Sequence, residues 1–345
     1  KQAERRNQRS VSLNYFSDEG KEVLFKMLAD ADIFIEASKG GTWARKGITD
    51  EVLWEINPKL VIVHLSGFGQ SGDPKMVKRA AYDLTVMAYS GYMSQNGTQE
   101  QPMNPGPYAG DYFNSLMVVS STLAALHKAN RTGKGESIDL AMYETLLAIG
   151  QYYLVDYLNE GILWPRPGAR NQNLCGIGEY KCNDGFLGVC LYGVDQNKYF
   201  LETIGLGHLW GTEDIPEDTS GLWLSNPHAA EIEAAFEAYC LEHSKYEIEA
   251  DFAAHRIAAQ VVMEFEDLVK EEHLKLREDF MDWETEDGKT FKGLGVFPKF
   301  QQTPGQVWRP MPKQGGDTAD VLTKLGYTAD QIAALNESGV VKVAE

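Results

Sequence analysis

Asp111 follows the run Pro105-Gly-Pro-Tyr-Ala-Gly110 and opens a helical pattern. A carboxylate in that position has two readings. It can simply cap the helix, because Asp is a favoured N-cap residue. It can also be kept ionised by the helix N-terminus and act as a covalent nucleophile toward acyl groups. Six cations form the second chemical feature: Lys39, Arg45, Lys46, Lys75, Lys78 and Arg79. They fall just after two strand-like segments, and ligands of open α/β sheets sit at the carboxyl ends of strands. Lys and Arg there can pair with phosphate oxygens or simply form a solvated basic face.

Other chemistries do not fit the spacing. Gly67-Phe-Gly-Gln-Ser-Gly72 has the GxGxxG form and follows a strand. A dinucleotide site needs a helix opening inside the motif, whereas Asp73-Pro74 follows here. Gly133-Lys-Gly135 precedes a strand and lacks the spacing of a P-loop. The histidines (His64, His127, His208, His228, His243, His255 and His273) form no HExxH or similar pair, so no metal site is expected. There is no GxSxG elbow. Cys175, Cys182, Cys190 and Cys240 form no CxxC pair and read as free thiols of a reducing, cytoplasmic compartment.

The elements that must position these residues alternate. Ser17 caps a helix with Asp18 and Glu19 in its first turn, and Val23, Leu24, Met27 and Leu28 form its apolar stripe. Asp32–Glu36 is a short strand. Thr49 caps a second helix that Asn57-Pro58 ends, since the residue before Pro disfavours the α region. Leu60–Leu65 is a continuous apolar run, suited to a strand buried on both faces. A long Gly-, Pro- and Ser-rich connection, 67–107, holds a helix over Ala81–Tyr89. A clear helix over Asp111–Lys128 places Leu116, Val119, Leu123 and Leu126 on one face. A strand at 136–142 and a helix at Tyr143–Leu158 complete the alternation. The pattern predicts an α/β fold, a Rossmann-like doubly wound parallel sheet. A change of texture after Gly161, with hairpin signals at Asn183-Asp184-Gly185 and Asp287-Gly288, predicts a smaller α+β domain. The expected division is a large domain over 1–163, a small domain over 172–300, and an extended linker with helices over 301–345 returning to the large domain.

Bulk properties agree with this picture. At roughly 150 residues per domain, 345 residues make about two domains. The chain has 32 basic and 50 acidic residues, a net charge of −18, which repels nucleic acid and anionic lipid. No apolar run is long enough to span a bilayer, and the first ten residues hold no apolar leader segment.

Several stretches resemble class III CoA-transferases, most closely the carnitine branch. They are Asp32–Gly40 (DIFIEASKG), Gly47–Gln70, Gln101–Phe113 (QPMNPGPYAGDYF), Gly133–Glu144 and Pro304–Pro312. The resemblance implies that Asp111 is the catalytic nucleophile. Its carboxylate would form a mixed anhydride with an acyl-CoA donor and then an aspartyl-CoA thioester, with coenzyme A as substrate and no permanently bound cofactor. It implies that Lys39 and Lys46 contact the CoA phosphates. At position 46 the carnitine branch carries arginine, so charge is kept and the bidentate fork is lost. Arg79 is a further candidate, and Leu191–Gln196 corresponds to a flap that is glycine-rich in formyl-CoA transferases. The resemblance also implies an interlocked homodimer and a strand and helix ahead of residue 1.

The partners expected are an acyl-CoA and a small organic acid. A betaine acid would need an aromatic lining for its quaternary ammonium, for which Trp43, Tyr108, Tyr112 and Phe113 are candidates. Bile acids are the alternative acceptors, on the stretches Ser38–Gly41 and Ser90–Gly97. A catalytically silent acyl-CoA-binding subunit is a third reading.

Overall fold

The computed structural model describes residues 2–344. In chain order the elements are β1 (Ser12–Leu13), α1 (Asp18–Ala29), β2 (Ile33–Glu36), α2 (Asp50–Ile56), β3 (Val61–Ser66), α3 (Pro74–Val77), α4 (Asp83–Tyr89), α5 (Ala109–Thr132) and β4 (Glu136–Ala141). There follow α6 (Met142–Ile149), α7 (Gln151–Glu160), β5 (Ile177–Cys182), β6 (Gly185–Cys190), α8 (Val194–Thr203), α9 (Ala229–Glu242), α10 (Lys245–Ala254) and β7 (Ala258–Val261). The chain ends with α11 (Phe265–Leu268), α12 (Glu272–Leu276), β8 (Phe280–Glu284), β9 (Thr290–Leu294), α13 (Thr318–Lys324), α14 (Ala329–Glu337) and β10 (Val341–Lys342). Two compact units interleave along it. One holds residues 1–80, 116–141 and 265–345; the other holds 81–115 and 142–264.

The first unit is built on a parallel sheet in the order β2-β3-β4. The apolar run of β3 is buried on both faces, as its composition requires. Ile62 packs with Leu24, Leu28, Leu53 and Trp43 on the side of α1 and α2. Val61 and Val63 pack with Val118, Ala125 and Ala129 of α5 on the other. The doubly wound α/β arrangement follows directly. Ser17 and Thr49 cap α1 and α2 through Gly20 and Val52 N–H groups. The two-residue pairing of β1 with β10 brings the chain end back beside α1, where Val23, Leu322 and Ile332 share a core. The hairpin β8–β9 turns at Asp287-Gly288 and belongs to this unit, where Arg6 donates to the carbonyl oxygens of Leu294 and Gly295.

The helix α5 turns most of its large apolar face away from the sheet; of that face only Leu126 packs on the core. Leu116, Val119 and Leu123 are exposed, by 66, 55 and 58%, while Val118, Ala125 and Ala129 are buried. Small residues let α5 lie close to the sheet, while Leu116, Val119 and Leu123 face outward.

The second unit carries the antiparallel sheet β5-β6-β7. Its first hairpin closes through Asn183-Asp184, and Asp184 also accepts from the Ser244 hydroxyl and the Lys245 N–H. Tyr180, Phe200, Phe236 and Phe252 fill the core between this sheet and α8–α10. The helix expected over Tyr143–Leu158 is two helices, α6 and α7, broken at Gly150. A Cβ at Gly150 would stand 3.0 Å from the Gln95 side chain.

Candidate active site

Asp111 lies in the first turn of α5, which begins at Ala109. It is therefore not the N-cap residue. Its amide donates to Asp83 Oδ1 at 3.1 Å, and Asp83, the first residue of α4, is only 9% exposed. Asn114, fully buried, donates to the carbonyl oxygens of Gly110 and Met142 and fixes the first turn of α5 against the start of α6. Gly110 is required by close approach: a Cβ there would come within 2.9 Å of Asp83 Oδ1 and 3.1 Å of Met87. Tyr108 adopts φ 59°, an uncommon conformation for a residue with a side chain, and such strain clusters at functional sites.

The backbone of Asp111 is thus tied down while its carboxylate is not. The side chain is exposed, and among the described residues no hydrogen bond or ion pair holds its oxygens. Burial of part of the carboxyl and then the nearby Asp83 charge raise its pKa above the ordinary carboxylate value. An unpaired carboxylate that is more basic than usual suits attack on an acyl carbon.

Of the aromatic candidates, Tyr108 and Tyr112 are exposed on either side of Asp111, by 64 and 59%. Phe113 packs inward against Tyr92 with Val86 and Met87. Trp43 lies in the first unit, on the loop between β2 and α2. It is 7% exposed, stacks on Tyr15 at 4.9 Å and donates its indole N–H to Ser38 Oγ.

Lys39 and Lys46 lie in the first unit, on the loop 37–49 between β2 and α2. Both are exposed, and the Lys46 ammonium stands 5.4 Å over the Phe16 ring. The loop is internally braced. Lys39 O accepts from the Thr42 N–H and hydroxyl, and Arg45 donates to Gly40 O and Thr42 Oγ1. Arg45 is thereby spent on the loop itself. Gly41 N–H donates to Gln70 Oε1 at 2.8 Å, and a Cβ at Gly40 would strike Gly69 O at 2.5 Å and Val77 at 2.5 Å. The loop after β2 therefore rests on the turn after β3 and on α3, which carries Lys75. Among the described residues none of the six cations forms an ion pair, in a chain of net charge −18.

The glycine-rich turn is not a dinucleotide cradle. Gly69 and Gly72 adopt φ 85° and 107°, the Gln70 N–H donates to both oxygens of Asp139, and α3 starts only at Pro74. Two groupings were not visible in the sequence. Asp83 looks like any acidic residue of a helix first turn, and its contact with Asp111 is long-range. His64, one strand residue among apolar ones, bridges Glu36 and Asp50. Among the described residues no group of three or more His, Cys, Asp or Glu is arranged to hold a metal ion. No helix among them is long and apolar enough to cross a membrane.

The family described as CoA-transferase family III matches residues 2–318, and the chain belongs to it. It is therefore of a transferase class that takes coenzyme A thioesters and organic acids. Among solved structures it is similar to a CAIB/BAIF family protein from Brucella suis. The identity is 24%, with 93% of this chain and 82% of that chain covered, at a TM-score of 0.76. It is also similar to Rv3272 from Mycobacterium tuberculosis in its orthorhombic form. There the identity is 19%, with 93 and 85% covered, at a TM-score of 0.77. At these identities the two structures bear on the fold.

Proposed function

We propose that the enzyme moves CoA reversibly between carnitine-type acids, from crotonobetainyl-CoA or γ-butyrobetainyl-CoA to L-carnitine, through a thioester on Asp111. The observation that carries this reading is the Asp111 carboxylate: exposed, unpaired and made more basic, on a backbone anchored by Asp83 and Asn114.

An Asp111 oxygen attacks the thioester carbonyl carbon; the C–S bond breaks and the CoA thiolate leaves, giving a mixed anhydride. The thiolate then attacks the aspartyl carbonyl. The anhydride C–O bond breaks, the donor acid departs as a carboxylate, and Asp111 is left as a CoA thioester. The acceptor carboxylate attacks that thioester and expels the thiolate into a second anhydride. Attack of the thiolate on the acceptor's acyl carbon forms the new thioester and restores Asp111. No ATP is consumed, because one thioester replaces another.

Lys39 and Lys46 are proposed to meet the CoA phosphates as exposed cations on a braced loop. Tyr108 and Tyr112 offer aromatic faces beside Asp111 for a quaternary ammonium. An interlocked homodimer is supported by the exposed apolar face of α5 and by Leu154, Val155, Tyr157 and Leu158 on α7. A cytoplasmic location is supported by the four free cysteines.

Intact-protein mass after adding crotonobetainyl-CoA without acceptor tests the reading. A CoA-sized adduct is expected on the native protein and not on Asp111→Asn, discharged by carnitine and not by a bile acid. Absence of an adduct on folded protein that still binds CoA would turn the reading to a silent acyl-CoA-binding subunit. Discharge by a bile acid would favour the steroid acids.

A further inference from the structure

The loop 37–49 leaves β2 at Glu36 and enters α2 at Asp50, and a single side chain from β3 holds both residues. His64 Nδ1 lies 2.8 Å from Glu36 Oε1, and His64 Nε2 lies 2.9 Å from Asp50 Oδ1. Glu36 is 5% exposed, and its other oxygen accepts the Ser38 N–H at 2.7 Å, inside the loop. Asp50 is also hydrogen-bonded by the Ser137 hydroxyl of β4. Carboxylates only accept hydrogen bonds, so a ring facing two of them uses both nitrogens as donors and carries a positive charge. The remaining charged group in register with His64 is Asp139 of β4, whose oxygens are taken by the Gln70 N–H.

From this arrangement we propose that His64 is the positioning residue of the CoA loop. As an imidazolium it clips the two ends of loop 37–49 together and so fixes where Lys39 and Lys46 stand. The proposal rests on the reading that these lysines meet CoA. His64 touches neither substrate nor Asp111; it acts through the loop. The charge balance favours this role. Burial pulls its pKa down, but the hydrogen bonds to Asp50 and Glu36 outweigh that and push it up to about 9. The clip is therefore closed at neutral pH and opens in base.

The test is calorimetric titration of the protein with free coenzyme A, beside steady-state kinetics, for native protein, His64→Gln, Asp50→Asn, Lys39→Ala and Lys46→Ala. We expect His64→Gln to weaken CoA binding about 10-fold and raise KM for the acyl-CoA. Its kcat should stay within about twofold, because bound substrate meets an unchanged Asp111. The native affinity should fall as pH rises through about 9, and that step should be missing from His64→Gln. Native affinity in His64→Gln, with weakened Lys39→Ala and Lys46→Ala, would overturn the clip and leave the loop as the CoA site. Native affinity in both lysine variants would overturn the loop reading and the clip with it. A drop in melting temperature without a change in CoA affinity would make His64 merely structural and also overturn the proposal. If His64→Gln does not fold, Asp50→Asn carries the same comparison. About a threefold loss is expected there, and an unchanged affinity counts against the clip.

Discussion

A carboxylate that attacks a thioester must be ionised, and it must not be neutralised by a cation that would blunt it. At Asp111 the backbone takes up the restraint, through its amide on Asp83, and among the described residues nothing holds the carboxylate oxygens. On the proposed role of Asp111 as nucleophile, Asp111→Asn should lower turnover by about a thousandfold or more and abolish the covalent adduct. Asp83 has a second effect. Its charge adds to burial in raising the Asp111 pKa, so activity falls with acid at a higher pH than an ordinary carboxylate would give. Asp83→Asn keeps an oxygen for the Asp111 amide and removes the charge. The acid limb of the kcat/KM profile should then move to lower pH, with folding intact. A limb that stays in place would mean that the Asp83 charge does not reach Asp111.

Among the elements, the clip of His64 links β2, β3 and α2, and it has a consequence for stability distinct from binding. The folded pKa of His64 is about 9 against 6.5 for a free histidine. Its contribution is thus fully present below about pH 6.5 and lost as pH rises through about 9; a gap of that size corresponds to about 3 kcal/mol. Chemical unfolding at pH 6.5 and pH 10 should show that loss in native protein and little of it in His64→Gln. The acid side belongs to Asp50, whose pKa is lowered by the His64 hydrogen bond; its contribution is lost as pH falls through that lowered value. These couplings were illegible in the sequence because they join residues on three elements. The elements themselves were legible: Thr49 and Asn57-Pro58 mark the limits of α2, and the run 60–65 marks a doubly covered strand. Asp111 stood out by type and position and the six cations by neighbourhood, whereas Lys39 and Lys46 were singled out among them only by the resemblance. For α5 the spacing marked an apolar face, but a helix with apolar residues on two faces does not reveal which one meets the sheet. Composition gave no sign that the chain passes between compact units at 80/81, 115/116, 141/142 and 264/265.

For the whole molecule, that outward face of α5 is the feature hardest to reconcile with an isolated chain. Leu116, Val119 and Leu123 follow helical spacing and are each more than half exposed, a contiguous apolar stripe of the kind monomers rarely leave open. In the second unit, Leu158 of α7 is 70% exposed. Burying such stripes against a second copy removes apolar area at about 25 cal/mol per Å² before the costs of association. An isologous interface would bury each stripe twice over, once on each protomer. Leu123→Asp places a charge in the middle of the stripe without touching Val118, Ala125 or Ala129, the side that holds the sheet. Light scattering behind size exclusion should report a dimer for native protein and a monomer, or at least a tenfold weaker dimer, for Leu123→Asp, with an unchanged circular dichroism spectrum. A native monomer, or a variant dimer as tight as native, would mean that the stripe serves another occupant. Should the variant be monomeric and also unable to form the Asp111 adduct, the dimer is part of the catalytic apparatus. Should it be monomeric and still form the adduct, each chain completes its own first half-reaction.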